Sequence, residues 1–481
     1  MKFFVLASLL FFSGSARSIA QNYQALLGSP YAGSLNATAN PASIVNNPYK
    51  WDLTLFSGQY QGITNALSAG RKTPFKLPIK TFYNLIPGDF ERMAYTNFDM
   101  HLLNARIALN KQHSIAFGAN LRGYANAESG TFSYSDTITS TSGFFSLNDR
   151  GELEADLAGS AWMEFYATYA RTILNFGPGR LNAGLTLKYN RGLSGATASV
   201  QDVRLEMTTI SEIPDVFIRD GLAGYGYSAT HDQVDANASA FENFGNMLSR
   251  SMSGFSADLG FEYVLPLPGI GSFNDDDPYF DYSWKFGLSV LDLGWNNFSH
   301  SRNSMAFARL NDNVNGELLN QKFLDIPDIA AMNDSLRTIV QFAVPQTGNF
   351  SILNPMRLVL NADRNINGEF FINANLNLNL SPLVDKDRLH VAEKNFITVT
   401  PRWERNKIGL YLPVQYNRQN QLWVGGALRA GPLFMGLHNI PNALFSWKKS
   451  HNGGGFIGII LRPQGKNNTG SLYKELDCPP Y

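Results

Sequence analysis

The side chains best suited to catalysis are scattered. His101, His113, His231, His300, His390, His438 and His451 form no His-x-x-x-His pair and no His-Glu-x-x-His motif. The two-imidazole helix face that holds a hydrolytic zinc is therefore missing. There is no Gly-x-Ser-x-Gly elbow to present a nucleophile. Gly425-Gly426 and Gly453-Gly454-Gly455 are not followed by Lys-Ser or Lys-Thr, so they read as strand and loop glycines rather than a phosphate cradle. Asn274-Asp275-Asp276-Asp277 with Asp281 would offer hard oxygens to calcium, but the stretch reads first as a solvated turn. No enzymatic activity, cofactor or metal site is expected. The charges that invite attention are Arg122, Lys188, Asp258, Glu262, Lys285 and Arg429, because each is set into a stretch that alternates apolar and polar residues.

That alternation points to the elements that position them. Between Phe370 and Leu380, one face carries Phe370, Ile372, Ala374, Leu376, Leu378 and Leu380, and the other carries Asn373, Asn375, Asn377 and Asn379. A strand of this length rises about 36 Å and, tilted by about 40°, covers about 28 Å of membrane normal. The same period of two runs through 114–122, 181–189, 255–263, 282–290 and 408–417. It places the six charges on the face opposite the oily one. Asp258 and Glu262 then lie on a strand between those that carry Lys188 and Lys285. Cross-strand pairing would make them a structural salt-bridge ladder, and unpaired they would line a polar route.

Composition separates a membrane barrel from a soluble sandwich, which also alternates. The 481 residues hold 39 basic and 39 acidic side chains, so there is no basic excess for nucleic acid. Charged residues make up only 16%, below the roughly 25% of soluble domains. No apolar run is long enough for a membrane helix. Many strands exceed the usual soluble length. Their polar faces are rich in Gly, Ser, Ala and Asn, and Tyr189, Tyr263, Trp284, Trp295, Tyr416 and Trp423 stand near strand ends, where an aromatic girdle belongs. The expected fold is all-β: a transmembrane antiparallel β-barrel.

The order along the chain follows. Lys2, the apolar run Phe3 to Phe12 and the small residues Ser18-Ile19-Ala20 read as a signal peptide over 1–20, cleaved before Gln21. The single cysteine, Cys478, leaves no internal disulfide. Residues 21–50, rich in Ala, Asn, Ser and Gly, read as a compact plug or hook packed inside the barrel, with Asn40-Pro41-Ala42 at its turn. The barrel is expected over 51–462 and a periplasmic tail over 463–481. Long gaps (61–95, 126–160, 194–253, 296–355, 381–394, 440–454) alternate with short ones (110–112, 174–180, 364–368, 406–407, 431–432), which gives about 14 strands with both ends periplasmic. Two misfitting gaps, 265–280 and 418–420, widen the range to 12–16. Helical spacing in 234–252, and in 318–342 with a break at Pro327, suggests loops that fold over or into the mouth.

The run from Gly28-Ser29-Pro30-Tyr31 through Asn40-Pro41-Ala42-Ser43-Ile44-Val45 to Tyr49-Lys50-Trp51-Asp52 resembles an uncharacterised outer-membrane barrel family of Bacteroidota, and more distantly the long-chain fatty acid channel superfamily. The resemblance implies the outer membrane of a Gram-negative bacterium, outer-membrane lipid as surroundings, and no particular substrate. The expected function is a channel or binding barrel for hydrophobic or amphipathic small molecules. The alternative is a non-transporting barrel acting as anchor or partner in secretion or surface-protein assembly. A continuous lumen cavity with a lateral opening or kinked strand would favour the first, and a tightly filled lumen with an apolar patch on the outer loops the second.

Overall fold

A strand with one oily face cannot leave a free hydrogen-bonding edge inside a bilayer, so such a sheet has to close on itself. The computed structural model describes residues 24–70, 82–149, 151–176, 179–210, 213–235, 237–267, 282–311, 314–383, 388–417, 420–444 and 452–463. The expected signal peptide, nearly all of the expected tail, and Asn274 to Asp277 with Asp281 lie outside them.

The wall opens with β1 (Trp51–Thr64). A hairpin of β2 (Leu67–Gly70) and β3 (Phe82–Leu85) stands beyond its end. Next come β4 (Gly88–Ala108), β5 (His113–Tyr134), β6 (Glu152–Phe176) and β7 (Gly179–Ile210) as successive antiparallel neighbours. β8 (Ile213–Tyr227) folds back on the far half of β7, while β9 (Met252–Pro266) pairs with its near half. β10 (Tyr282–Ser299) follows in the wall. β11 (Met305–Leu310) and β12 (Val340–Pro345) instead extend the sheet of β8. β13 (Asn349–Leu353) and β14 (Arg357–Asn365) both pair with β10. The circuit continues through β15 (Phe370–Asn379), β16 (Phe396–Glu404), β17 (Ile408–Tyr411), β18 (Val414–Asn417), β19 (Leu422–Val424), β20 (Gly426–Ala430), β21 (Leu433–Leu437) and β22 (Gly453–Leu461). Pairing of β22 with β1, from Leu461 opposite Leu53 to Gly453 opposite Gly62, seals a cylinder of 14 strands. Three of these strands are each built from two segments (β13 with β14, β17 with β18, β19 with β20). Pro413, which has no N–H to donate, separates the second of these pairs.

Outside, the wall presents oil: Leu103, Phe117, Leu187, Phe255, Phe370 and Leu410 are all exposed. Inside, the buried side chains are mostly Asn, Ser, Thr, Gln and charges. This is the arrangement of a membrane barrel.

Three expectations about the strands need correction. The long gaps are not simply loops, because β7 runs on to Ile210 and β5 and β6 overrun the span of a bilayer. Their far ends join β8, β11 and β12 in a sheet outside the wall circuit. Tyr282, grouped by alternation with the outward Trp284, is buried, because the register shifts between the two. Trp423, assigned to the girdle, is buried and donates to Gln421 Oε1 at 3.3 Å. In the run Leu422-Trp423-Val424 two large apolar neighbours compete for the lipid face, and Leu422 takes it.

The expected helices form over Ala240–Ser249, Gly316–Phe323 and Ile329–Arg337, with Pro327 between the last two. Phe342, at the end of the expected helical stretch, belongs to β12 instead. With the helix Thr141–Leu147, the last two cover a separate apolar core of Phe145, Val203, Leu205, Val216, Ile218 and Ile339. The long-connection end thus carries a packed cap.

Candidate functional site in the barrel lumen

The lumen fills in layers, which the sequence order of β10 tracks from one end to the other. The lowest layer is the N-terminal segment, which winds through short 3-10 turns at Gln24–Leu26, Gly33–Thr38 and Pro41–Ile44. Small residues let it approach the wall. Asn40 caps the last turn by accepting from the Ala42 N–H at 3.0 Å, and donates to the Phe261 carbonyl at 2.9 Å. Gly184 and Gly260 face each other on β7 and β9, and a Cβ on either would overlap the Pro41 backbone or the Asn40 side chain. Ala42 is fully buried.

Polar contacts fasten this segment all round. Lys285 Nζ donates to the Gly28 carbonyl at 2.7 Å, and Arg402 reaches the same oxygen at 3.3 Å. Ser29 donates to Glu404. The Ser34 N–H donates to Asp52 at 2.6 Å, and Ser289 donates to the Ala39 carbonyl at 2.8 Å. Gly28, with φ +75°, sits where any side chain would strike Asp363. Arg402 is paired with Asp363 at 2.5 Å and Glu404 at 2.9 Å, all fully buried. Arg106 and Asp52 make a second buried pair at 2.5 Å.

Above lies a denser network with Asp292 at its centre. Arg122 meets Asp292 at 2.5 Å, Asp99 at 2.6 Å and Glu164 at 3.2 Å. Lys188 meets Asp292 at 2.7 Å and Asp258 at 2.8 Å. Arg357 stands 3.7 Å from Asp292 and pairs with Glu393. The Asp292 N–H donates to Asp258 at 2.7 Å. A buried charge is tolerable only when paired and hydrogen-bonded on this scale.

Glu393 comes from the 388–395 stretch, which folds inward. Val391 is fully buried there, and the Ala392 N–H donates to Asn126. Val391 joins Tyr124, Trp162, Phe298, Phe350 and Ile352 in an apolar layer over the charges.

Of the six charges singled out by alternation, all are buried. Arg122, Lys188 and Asp258 meet in the upper network. Lys285 turns to Gly28 and to Asp363, 3.8 Å away. Glu262 accepts from Asn182 at 3.3 Å. Arg429 stands apart: it donates to the Asn406 and Ile408 carbonyls and lies 3.9 Å from the centre of the Tyr31 ring.

Alternation also marks Asp363 and Arg402 as inward, although only the pairing of distant strands reveals their role. Asp292 defeats alternation, since its parity with Leu288 and Val290 assigns it to lipid. A bulge between Val290 and Leu293, with φ +61° at Asp292, turns it inward. A carboxylate at a lipid-facing parity position was the available signal. Glu393 sits on a connection and had none.

For metals, the one acidic group gathered among the described residues is Glu152, Glu154 and Asp202. All three are exposed, and Arg204 lies 3.1 Å from Glu152.

Comparison with known proteins gives one family and several distant barrels. No curated protein sequence matches. Among solved structures, a TodX deltaS2S3 mutant monoaromatic hydrocarbon channel is 10% identical, covering 89% of this chain and 93% of its own, with a TM-score of 0.39. The Pseudomonas putida toluene transporter TodX is 9% identical over 89% and 93%, with a TM-score of 0.36. A Pseudomonas aeruginosa FadL homologue is 9% identical over 92% and 94%, with a TM-score of 0.39. Residues 41–437 match the model of a family described as "Family of unknown function (DUF5723)", and the chain belongs to that family.

Proposed function

We propose that this chain is an outer-membrane β-barrel, closed at rest, that serves as a membrane-anchored scaffold and presents its cap to a surface or secretion protein. The filled lumen carries this reading. The N-terminal segment acts as a plug at the short-turn end, the ion network bars the middle, and the 388–395 stretch closes the far end. The cavity beside Lys285 and the plug measures about 30 Å³, far below the roughly 300–1,000 Å³ of a small-molecule site. Opening the lumen would require separating the buried pairs that hold it, Arg122 and Lys188 from Asp292 first among them. The oily outer belt and the signal-like residues 1–20 support the outer membrane as the location.

One feature favours the second reading, gated passage of hydrophobic or amphipathic small molecules. A recess of about 530 Å³ on the lipid side, lined by Phe261, Phe286 and Leu360, reaches Gly287, Asn361 and Asn375. The same three residues line the inner cavity. Passage there would require the plug to move.

Uptake of a labelled fatty acid by liposomes bearing the purified protein separates the two. The scaffold reading expects uptake no faster than into empty liposomes, together with a protein that co-purifies from gently solubilised membranes and is lost when the cap is cut back. Faster uptake overturns it in favour of gated passage.

A further inference from the structure

The helix Ala240–Ser249 is tied to the wrong side of the wall to serve the lumen. Arg191 shares the outward parity of Leu187 and Tyr189 on β7, both lipid-facing. From there it donates to the Leu248 carbonyl at 3.2 Å, the Ser251 carbonyl at 2.6 Å and Ser251 Oγ at 2.8 Å, and lies 3.3 Å from the Tyr189 hydroxyl. The helix C-terminus is therefore stapled to the outer face, level with Tyr189 and Phe255, whose ring centres are 5.5 Å apart.

The helix itself is strongly two-faced. At 100° per residue, Ala240, Phe241, Phe244, Met247 and Leu248 share an arc of about 120°, and Glu242, Asn243, Asn246 and Ser249 occupy the rest. None of its residues is buried, and Phe241 is 85% exposed. The Ser239–Glu242 capping box keeps it helical without a packed core. A ten-residue helix gains little in water from a face on which Phe241 stands bare and Phe244, Met247 and Leu248 are only half-buried. Beside a belt of exposed Leu, Phe and Tyr, it gains what any interfacial helix gains from acyl chains. Arg250, exposed just past its end, suits anionic lipid phosphates.

We infer that Ala240–Ser249 is a lipid-contact element, resting its apolar face in the outer-leaflet interface as a continuation of the barrel's oily belt. The inference rests on the membrane reading of the barrel. Accordingly, the test carries a site on the bare wall as a control. In the full chain with Cys478→Ser, spin labels are placed singly at Phe241→Cys, Asn246→Cys and Phe117→Cys, and the protein is reconstituted into phospholipid vesicles. Collision with oxygen reports lipid, and collision with a water-soluble nickel chelate reports water. The expected result is an oxygen preference at 241 that approaches that at 117 and exceeds that at 246 several-fold. If 117 prefers oxygen while 241 and 246 both prefer nickel, the helix inference is overturned and the barrel stands. If all three prefer nickel, the membrane reading itself fails.

Discussion

The lumen and the cap are held together by opposite means. Inside the wall, Arg122, Lys188 and Arg357 meet Asp99, Glu164, Asp258, Asp292 and Glu393, with apolar layers beneath them around Leu26, Leu35 and Phe434 and above them around Trp162 and Phe298. In the cap, Val203, Leu205, Val216 and Ile218 make an ordinary apolar core. The difference follows from what surrounds each region. Where the outside is hydrocarbon, turning a leucine inward gains little, whereas a polar group left facing lipid would be stranded, so the charges and most of the amides collect in the interior. Where the outside is water, the hydrophobic effect again decides. One chain thus carries an inverted protein and a normal one, joined along β5, β6 and β7.

The largest expected effect tests the inverted half. Asp292→Ala leaves three buried cations short of a shared partner and should cost about 3–5 kcal/mol, read as a lower urea midpoint and loss of heat-modifiable gel migration. If the midpoint does not move, the network is not what holds the lumen. In the normal half, Ile218→Ala should cost about 2–5 kcal/mol, but locally. Proteolysis within 196–227 should rise while heat-modifiable migration stays intact. Should migration collapse as well, cap and barrel form a single cooperative unit and the contrast drawn above is wrong.

The two halves also differ in how far the sequence revealed them. Alternation is strongest where lipid enforces it, so the wall strands could be read directly, as could the inward side of Arg122, Lys188 and Asp258. Beyond Gly195, β7 still alternates, with Val203 and Leu205 buried and Arg204 and Glu206 exposed, but a break at Gln201-Asp202, where the register shifts, separates that stretch from the wall strand. The hub escaped because a bulge reverses parity at Asp292, and period-two reading carries no record of an inserted residue. The seat of the N-terminal segment escaped for another reason. Gly184 and Gly260 read as small lumen residues, and only the pairing of β7 with β9 makes them one site. In the sequence the segment shows only its small residues and the turn chemistry of Asn40-Pro41.

Gly260→Ala tests the contact between the wall and its N-terminal segment. The added methyl would collide with Asn40 Oδ1 and Pro41, so the segment has to shift. The wall should hold, with the urea midpoint changed by no more than about 1 kcal/mol equivalent, while protease cleavage within 24–50 rises. An unchanged cleavage pattern would mean that the segment has room the packing does not suggest.

The smallest effect should be confined to the cap's edge and set by pH. His231, in the 3-10 turn Ala229–Gln233, is largely enclosed, lies 2.9 Å from Ser194 Oγ, and packs edge-on to Tyr227. Burial brings its imidazole down to about 4 from the usual 6.5, with Asp232 opposing in part. The folded turn thus refuses a proton that the unfolded turn accepts. Its stability is complete above pH 6.5 and declines as the pH falls toward 4. Amide exchange across 228–235 should quicken over that window while exchange in β9 and β10 stays flat, and His231→Gln should remove the pH dependence. If β9 loosens in parallel, the turn is coupled to the lumen network, and the division between an inverted interior and a water-built cap has to be drawn further out along β7.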